Sequence, residues 1–137
     1  MRGRYVLVVD DDASTREFLR HWLEKMGYDV KLAPDADIAL ATMLRQPAAI
    51  VLLDIDMPGH DGLWLAERVR DSWPSTAIVF ASGVDKIETI ERARWLGAVD
   101  YVQKPFSGKW SPRRCAVPPT ARPVAPPQRR NAHRDWC

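Results

Sequence analysis

Two clusters of aspartate follow apolar stretches of the chain. Three consecutive aspartates, residues 10–12, come directly after the apolar run 5–9, and Asp54 and Asp56 come after a second run, residues 49–53. Carboxylates crowded at the ends of buried strands repel each other and resist desolvation, so a positive partner should accompany them. Mg²⁺ suits such a place because it prefers carboxylate, carbonyl and water oxygens. The pattern predicts a metal-assisted carboxylate site.

The first cluster also has a purely structural interpretation. Asp12 stands directly before the segment 13–17, which is typical of a helix start, and aspartate is a favoured N-cap residue. For that cluster alone, capping and surface solvation explain the residues as well as metal binding does. The second cluster, at Asp54 and Asp56, favours the metal site.

Up to residue 106 the apolar pattern alternates between strand and helix periodicity. In the second helix, Ile38, Ala41, Met43 and Leu44 are expected near one apolar face. Alternation of this kind is typical of right-handed crossovers, and it predicts a parallel sheet with helices on both faces. The predicted strands are residues 4–9, 28–32 (an edge strand), 49–54, 76–81 and 99–102, and the predicted helices are residues 14–26, 35–45, 63–72 and 85–96.

Length and charge predict one domain followed by a tail of different character. The chain has 137 residues, of which 46% are hydrophobic and 28% are charged, as in a soluble globular protein. It shows no secretory signal and no apolar run of membrane-spanning length, so the expected location is the cytoplasm. Through residue 106 it carries 13 Lys or Arg against 17 Asp or Glu, but from residue 107 onward 7 against 1.

Several short motifs lie at the ends of the predicted strands, in a fixed order along residues 4–106. Together they resemble the receiver domain of two-component response regulators. The resemblance implies a doubly wound, flavodoxin-like α/β fold with strand order 2-1-3-4-5. Strands one and three are neighbours in that order, so it brings together the two aspartate clusters. The motifs are Val8-Val9-Asp10-Asp11, Leu53-Asp54-Ile55-Asp56-Met57-Pro58-Gly59, Asp61-Gly62, Ala81-Ser82-Gly83 and Asp100-Tyr101-Val102-Gln103-Lys104-Pro105-Phe106.

The resemblance also implies a role for each matching residue. A histidine kinase or a histidine phosphotransfer protein would donate a phosphoryl group, Mg²⁺ would be the cofactor, and homodimers are an implied assembly. Membranes and nucleic acid are not expected partners. The implied roles are phospho-acceptor for Asp54, Mg²⁺ ligands for the side chains of Asp10, Asp11 and Asp54 and the backbone carbonyl of Asp56, phosphoryl binding for Ser82 and Lys104, switching for Ser82 and Tyr101, and a preceding cis peptide bond for Pro105.

Each of these residues has a simpler interpretation when it is taken alone. Ser82 could cap the next segment, Lys104 could be a surface charge near a chain end, and Tyr101 could serve packing only. Two other functions also stay open at this point. One is a Mg²⁺-dependent phosphatase with an aspartyl-phosphate intermediate, and the other is a degenerate receiver that only docks to partners.

The tail, residues 107–137, departs from the family pattern. A receiver continues into a last amphipathic helix after Phe106, but repeated prolines in this tail forbid a long helix. We therefore expect a receiver domain at residues 1–106 and a basic, disordered or non-native tail in which the last helix is missing or replaced. The Arg, Pro and Ala bias suggests a frameshift or a truncation, and nucleic-acid binding by the tail is the weaker alternative.

Overall fold

The computed structural model describes residues 5–83 and 86–103. Within those ranges the chain forms five strands and four helices that alternate along the sequence. Each element lies within two residues of its predicted bounds. The elements are β1 (Val6–Val9), α1 (Ala13–Lys25), β2 (Val30–Ala33), α2 (Ala36–Arg45), β3 (Ile50–Leu53), α3 (Gly62–Ser72), β4 (Ala77–Ser82), α4 (Ile87–Trp95) and β5 (Asp100–Gln103).

The five strands form one parallel sheet in the order β2-β1-β3-β4-β5. This confirms the predicted fold class and the edge position of β2. One residue from each strand lies in a single row across the sheet, so β1 and β3 end level with each other, while β4 and β5 run two residues further. That row consists of Ala33, Val9, Leu53, Phe80 and Tyr101.

Alternate residues of the strands enter two separate cores, one on each side of the sheet. Leu7, Leu53 and Phe80 belong to the larger core, which also contains buried residues of α2, α3 and α4. Val8 and Leu52 belong to the other core, with Leu19 and Leu23 of α1. Since strand side chains alternate between faces, continuous apolar runs are what a sheet covered on both sides requires.

Helix α2 does not present the apolar face that the sequence predicts. Met43 is fully buried, but Ile38 is 47% exposed, Leu44 is 73% exposed, and Ala41 is exposed as well. The buried positions are instead Ala36, Ala39 and Met43, spaced by three and four residues. Small alanines let the helix lie close to its neighbours, so the larger apolar side chains were a misleading guide to the buried face.

Other sequence predictions fall outside the described residues. They concern Lys104, Pro105, the missing last helix and the tail, residues 107–137. Among the helices of the described ranges, none is both long enough and apolar enough to cross a membrane.

The corrected face of α2 can be tested with two neighbouring substitutions. Met43→Ala removes a fully buried side chain and should lower the free energy of unfolding by about 2–5 kcal/mol. Leu44→Ala removes a mostly exposed side chain and should change it by less than about 0.5 kcal/mol. Urea unfolding at low protein concentration measures both. Equal losses in the two variants would contradict the observed face.

Candidate functional site

The site lies where β1 and β3 end side by side. Val9 is paired with Leu53, and the residues that follow them are Asp10 and Asp54. The backbone N–H of Asp54 donates to the carbonyl of Val9 at 2.9 Å, and that of Asp10 donates to the carbonyl of Ala33 at 3.2 Å. The sheet ladder thus continues past the strands and fixes the backbone of both aspartates.

Three carboxylates converge at this edge, as the sequence predicts. Asp10, Asp11 and Asp54 each offer an oxygen, and these oxygens lie within 4.8 Å of one another. Asp10 is only 2% exposed and Asp54 only 7% exposed, whereas Asp11 is exposed to solvent. The cluster is therefore buried on two sides and open to water on the third.

The chemistry of this donor set fits a hard divalent cation. Carboxylates so close together repel each other strongly when they are partly buried, and a dication at their centre offsets that repulsion. Oxygen ligands from a few carboxylates, with water completing the shell, are the usual environment of Mg²⁺ in proteins. The exposed side, at Asp11, leaves room for that water.

The three consecutive aspartates have different contacts, and the capping interpretation is confirmed for Asp12. Asp12 caps α1, because its carboxylate accepts from the N–H of Thr15 at 3.0 Å and from the hydroxyl of Thr15 at 2.5 Å. The Oδ1 atom of Asp10 accepts a hydrogen bond from the backbone N–H of Asp12 at 2.9 Å. Arg16 donates to the backbone carbonyl of Asp10 at 2.7 Å, a contact that the sequence pattern did not indicate.

Gly62 holds the backbone of Asp54 from the other side. Its N–H donates to the carbonyl of Ile55 at 2.9 Å, and a Cβ built on it would lie 2.0 Å from the carbonyl oxygen of Asp54. Only glycine permits so close an approach of two backbones. The sequence places Gly62 in a turn cluster and a motif, but nothing in the pattern indicates this contact.

The loop between β3 and α3 is further fixed by its own residues. The carboxylate of Asp61 caps α3 by accepting from the N–H of Trp64 at 2.9 Å. The ring of His60 stacks on the indole of Trp64 at 3.7 Å, and the guanidinium of Arg68 lies over the same indole at 4.6 Å. Stacked aromatic and cation–π contacts restrict this exposed segment at modest energetic gain. Asp56 lies in the same loop with its side chain exposed.

Ser82 and Tyr101 lie on the two strands beyond β3. Ser82 is the last residue of β4 and is 1% exposed. It does not cap α4, since the N-cap of that helix is Lys86, which makes no side-chain capping bond. Tyr101 is half-buried in β5, its ring centroid 6.2 Å from that of Phe80, and it packs on the larger core. The described residues thus bring the carboxylates of Asp10, Asp11 and Asp54 together, with Ser82 at the end of β4 and Tyr101 inside β5, beside Phe80.

Comparison with known proteins identifies the class to which this architecture belongs. Residues 6–110 match the family model described as the response regulator receiver domain. The receiver domain of NtrX from Brucella abortus is 34% identical over 82% of this chain and 92% of its own, with a TM-score of 0.72. The chemotaxis protein CheY4 of Vibrio cholerae is 29% identical over 77% of this chain and 90% of its own, also with a TM-score of 0.72.

A further similar structure is that of the response regulator TrrA from Thermotoga maritima in complex with Mg²⁺ and BeF. It is 31% identical over 77% of this chain and 90% of its own, with a TM-score of 0.70. The strand order and the three converging carboxylates define a doubly wound α/β protein with an acidic cluster at its strand ends. Within that class, the chain belongs to the response regulator receiver domain family of two-component signalling systems.

The close approach of Gly62 to Asp54 generates a prediction. Gly62→Ala forces the two backbones apart and should lower the free energy of unfolding by about 1–3 kcal/mol, as overpacking does elsewhere. Gly83→Ala is the matched control, because a Cβ there meets nothing within 4 Å. Thermal unfolding measures both. A loss at Gly83 as large as that at Gly62 would contradict the proposed role of the contact.

Proposed function

We propose that this chain is a phosphorylation-controlled switch in which Asp54 accepts a phosphoryl group from a phosphohistidine on a partner protein. The observation that carries the proposal is the convergence of the Asp10, Asp11 and Asp54 oxygens within 4.8 Å at the end of β3. Receiver domains are signalling switches, and membership of the family supports the same role here. The partner would be a sensor histidine kinase or a histidine phosphotransfer protein.

The proposed ligands of Mg²⁺ are the side chains of Asp10, Asp11 and Asp54 and the backbone carbonyl of Asp56. The donor set suits this ion, and the similar TrrA protein, whose structure is a complex with Mg²⁺, supports the choice. When bound, Mg²⁺ would supply positive charge that neutralises the carboxylates and the incoming phosphoryl oxygens. Asp10 has its carboxylate held by the N–H of Asp12, so it is already oriented for this role.

Asp54 is the proposed nucleophile. One of its carboxylate oxygens attacks phosphorus, the P–N bond to the partner's imidazole breaks, and the imidazole leaves with the electron pair and takes up a proton from water. The product is an acyl phosphate on Asp54. The two hydrogen-bonded strand ends and the contact with Gly62 keep the Asp54 backbone in place, so little ordering is needed at the moment of transfer.

Ser82 and Lys104 are the proposed binding partners of the transferred group. Ser82 would donate its hydroxyl to a phosphoryl oxygen, and Lys104, which follows β5, would pair its ammonium with another. Tyr101 would report phosphorylation. It lies on β5, which pairs with the strand that carries Ser82, and its ring packs beside that of Phe80. Residues 1–106 would form the switch, and the basic tail, residues 107–137, would take no part in transfer.

The acceptor can be tested by phosphorylation mapping. Incubation with acetyl phosphate and Mg²⁺ should add one phosphoryl group to the wild type, and Asp54→Asn should reduce incorporation by at least about 100-fold because the amide is no nucleophile. Asp61→Asn is the control, since asparagine also caps helices well. Intact-protein mass spectrometry follows the reaction. Incorporation that survives in Asp54→Asn, or that is absent from the wild type, would overturn the proposal, and catalytic turnover of a phosphomonoester would favour the phosphatase.

The metal site can be tested through stability. Mg²⁺ at about 100 times its dissociation constant should raise the free energy of unfolding of the wild type by about 2.7 kcal/mol. Asp11→Asn should weaken the ion's affinity by at least about tenfold, yet raise stability in metal-free buffer because one of the repelling charges is gone. Asp12→Asn is the matched neighbour and should keep the response. An unchanged Mg²⁺ response in Asp11→Asn would contradict the ligand assignment.

A further inference from the structure

The exposed side of α2 carries apolar residues where a small domain usually presents polar ones. Ile38 is 47% exposed, Leu44 is 73% exposed, and Ala41 between them is exposed too. At 100° per residue these three positions share one side of the helix, which Asp37 and Arg45 also occupy. We call this set of five residues the α2 face. The side chains of Ile38 and Leu44 on this face are not shielded from solvent by polar residues of the same helix.

The α2 face is symmetric about Ala41. Ile38 and Leu44 stand three residues before and after it, and Asp37 and Arg45 stand four residues before and after it. In an antiparallel pair of identical helices related by a two-fold axis, a residue before the centre meets the residue equally far after it on the other copy. Such a pair would place Ile38 against Leu44 and Asp37 against Arg45, twice.

The charges on the α2 face are available for such pairing. The ion pairs among the described residues involve Arg20, Arg68 and Arg70, and within that part of the chain neither Asp37 nor Arg45 takes part in one. Both are exposed, at opposite ends of a ten-residue helix. Opposite signs at positions exchanged by a two-fold axis make the face complementary to itself, a property that an unrelated partner would not require.

We propose that a second copy of this chain docks on the α2 face, antiparallel, with the two-fold axis at Ala41. The small side chain at the centre lets the helices approach closely, and the larger apolar residues on either side fill the contact. A single helix of ten residues buries little area, so the dimer should be weak, with a dissociation constant on the order of 100 μM. The proposal does not rest on the phosphoryl chemistry of Asp54.

Among the described helices, α4 carries the other pair of exposed large apolar residues, and that pair does not share this symmetry. Ile87 is 58% exposed and Trp95 is 56% exposed on α4, and the residue midway between them is Glu91. A two-fold axis there would bring Glu91 against its own copy, which like-charge repulsion disfavours. The comparison favours α2 over α4 as the place where two identical chains meet.

A mixing experiment tests the pairing. In a dimer of Asp37→Arg, the new arginine of one copy would face Arg45 of the other at both ends, and the two positive charges would repel. In a dimer of Arg45→Asp, the new aspartate would likewise face Asp37. Each variant should weaken self-association of the full chain at least about tenfold in sedimentation equilibrium, as truncated or reversed charge pairs do. In an equimolar mixture, however, each end again joins an arginine to an aspartate. The mixture should therefore form heterodimers of near wild-type affinity that weaken as salt is added.

Asp29→Arg and Arg92→Asp form the matched control pair. Both are exposed positions away from the α2 face, and they change net charge by the same amounts. Their mixture should associate no more strongly than the wild type, which separates local pairing from overall attraction. Ala41→Glu should abolish the wild-type dimer, because the two glutamates would meet on the axis.

Three results would overturn the proposal. The first is a wild-type chain that stays monomeric up to about 1 mM, which is ten times the expected dissociation constant. The second is a mixture of Asp37→Arg and Arg45→Asp that associates no better than either variant alone. The third is a dimer that persists in Ala41→Glu but is lost in Trp95→Glu. Circular dichroism of each variant confirms that the fold is retained.

Discussion

Repulsion among carboxylate oxygens at the junction of β1 and β3 is the constraint on which the site depends. Asp10 and Asp54 are nearly buried and cannot move apart, because the N–H of each is held by the neighbouring strand. Folding therefore gathers negative charge at one place and holds it there. A group that is electrostatically strained in this way responds strongly to any cation or to a change in its own charge.

The backbone around that junction is fixed from several directions at once. Arg16 holds the carbonyl of Asp10, and Gly62 lies against the carbonyl of Asp54. Asp12 and Asp61 begin the helices that follow β1 and β3, each by accepting from a backbone N–H three residues on. The loops that carry the acidic residues are thus also the starts of α1 and α3, so the site and the two helices depend on the same loops.

Much of this arrangement could be predicted from the sequence. Strands and helices fell within two residues of their predicted bounds, because the alternation of short apolar runs and helical periodicity is strong in this chain. The ordered motifs gave the strand order and thereby the meeting of Asp10, Asp11 and Asp54. The element bounds are encoded by residue type and spacing, whereas the strand order came from the family resemblance that the motifs carry.

Other features depend on distances between backbones, which residue types do not reveal. The closeness of Gly62 to Asp54 follows from the path of the β3–α3 loop, and the burial of Ala36 and Ala39 in place of Ile38 follows from how closely α2 lies to its neighbours. Apolar periodicity could not separate two candidate faces of one short helix. Tertiary packing decided between them.

The slight exposure of Asp54 sets a requirement on the shape of whatever reaches it. With 7% of the residue accessible, a flat protein surface laid over this edge would touch Asp11 and the loops before it touched the buried carboxylate. Under the proposed function, a phosphoryl donor would therefore reach Asp54 with a projecting side chain and not with a flat surface. In the proposed reaction, steric reach would thus contribute to selectivity among donors before any bond is made or broken.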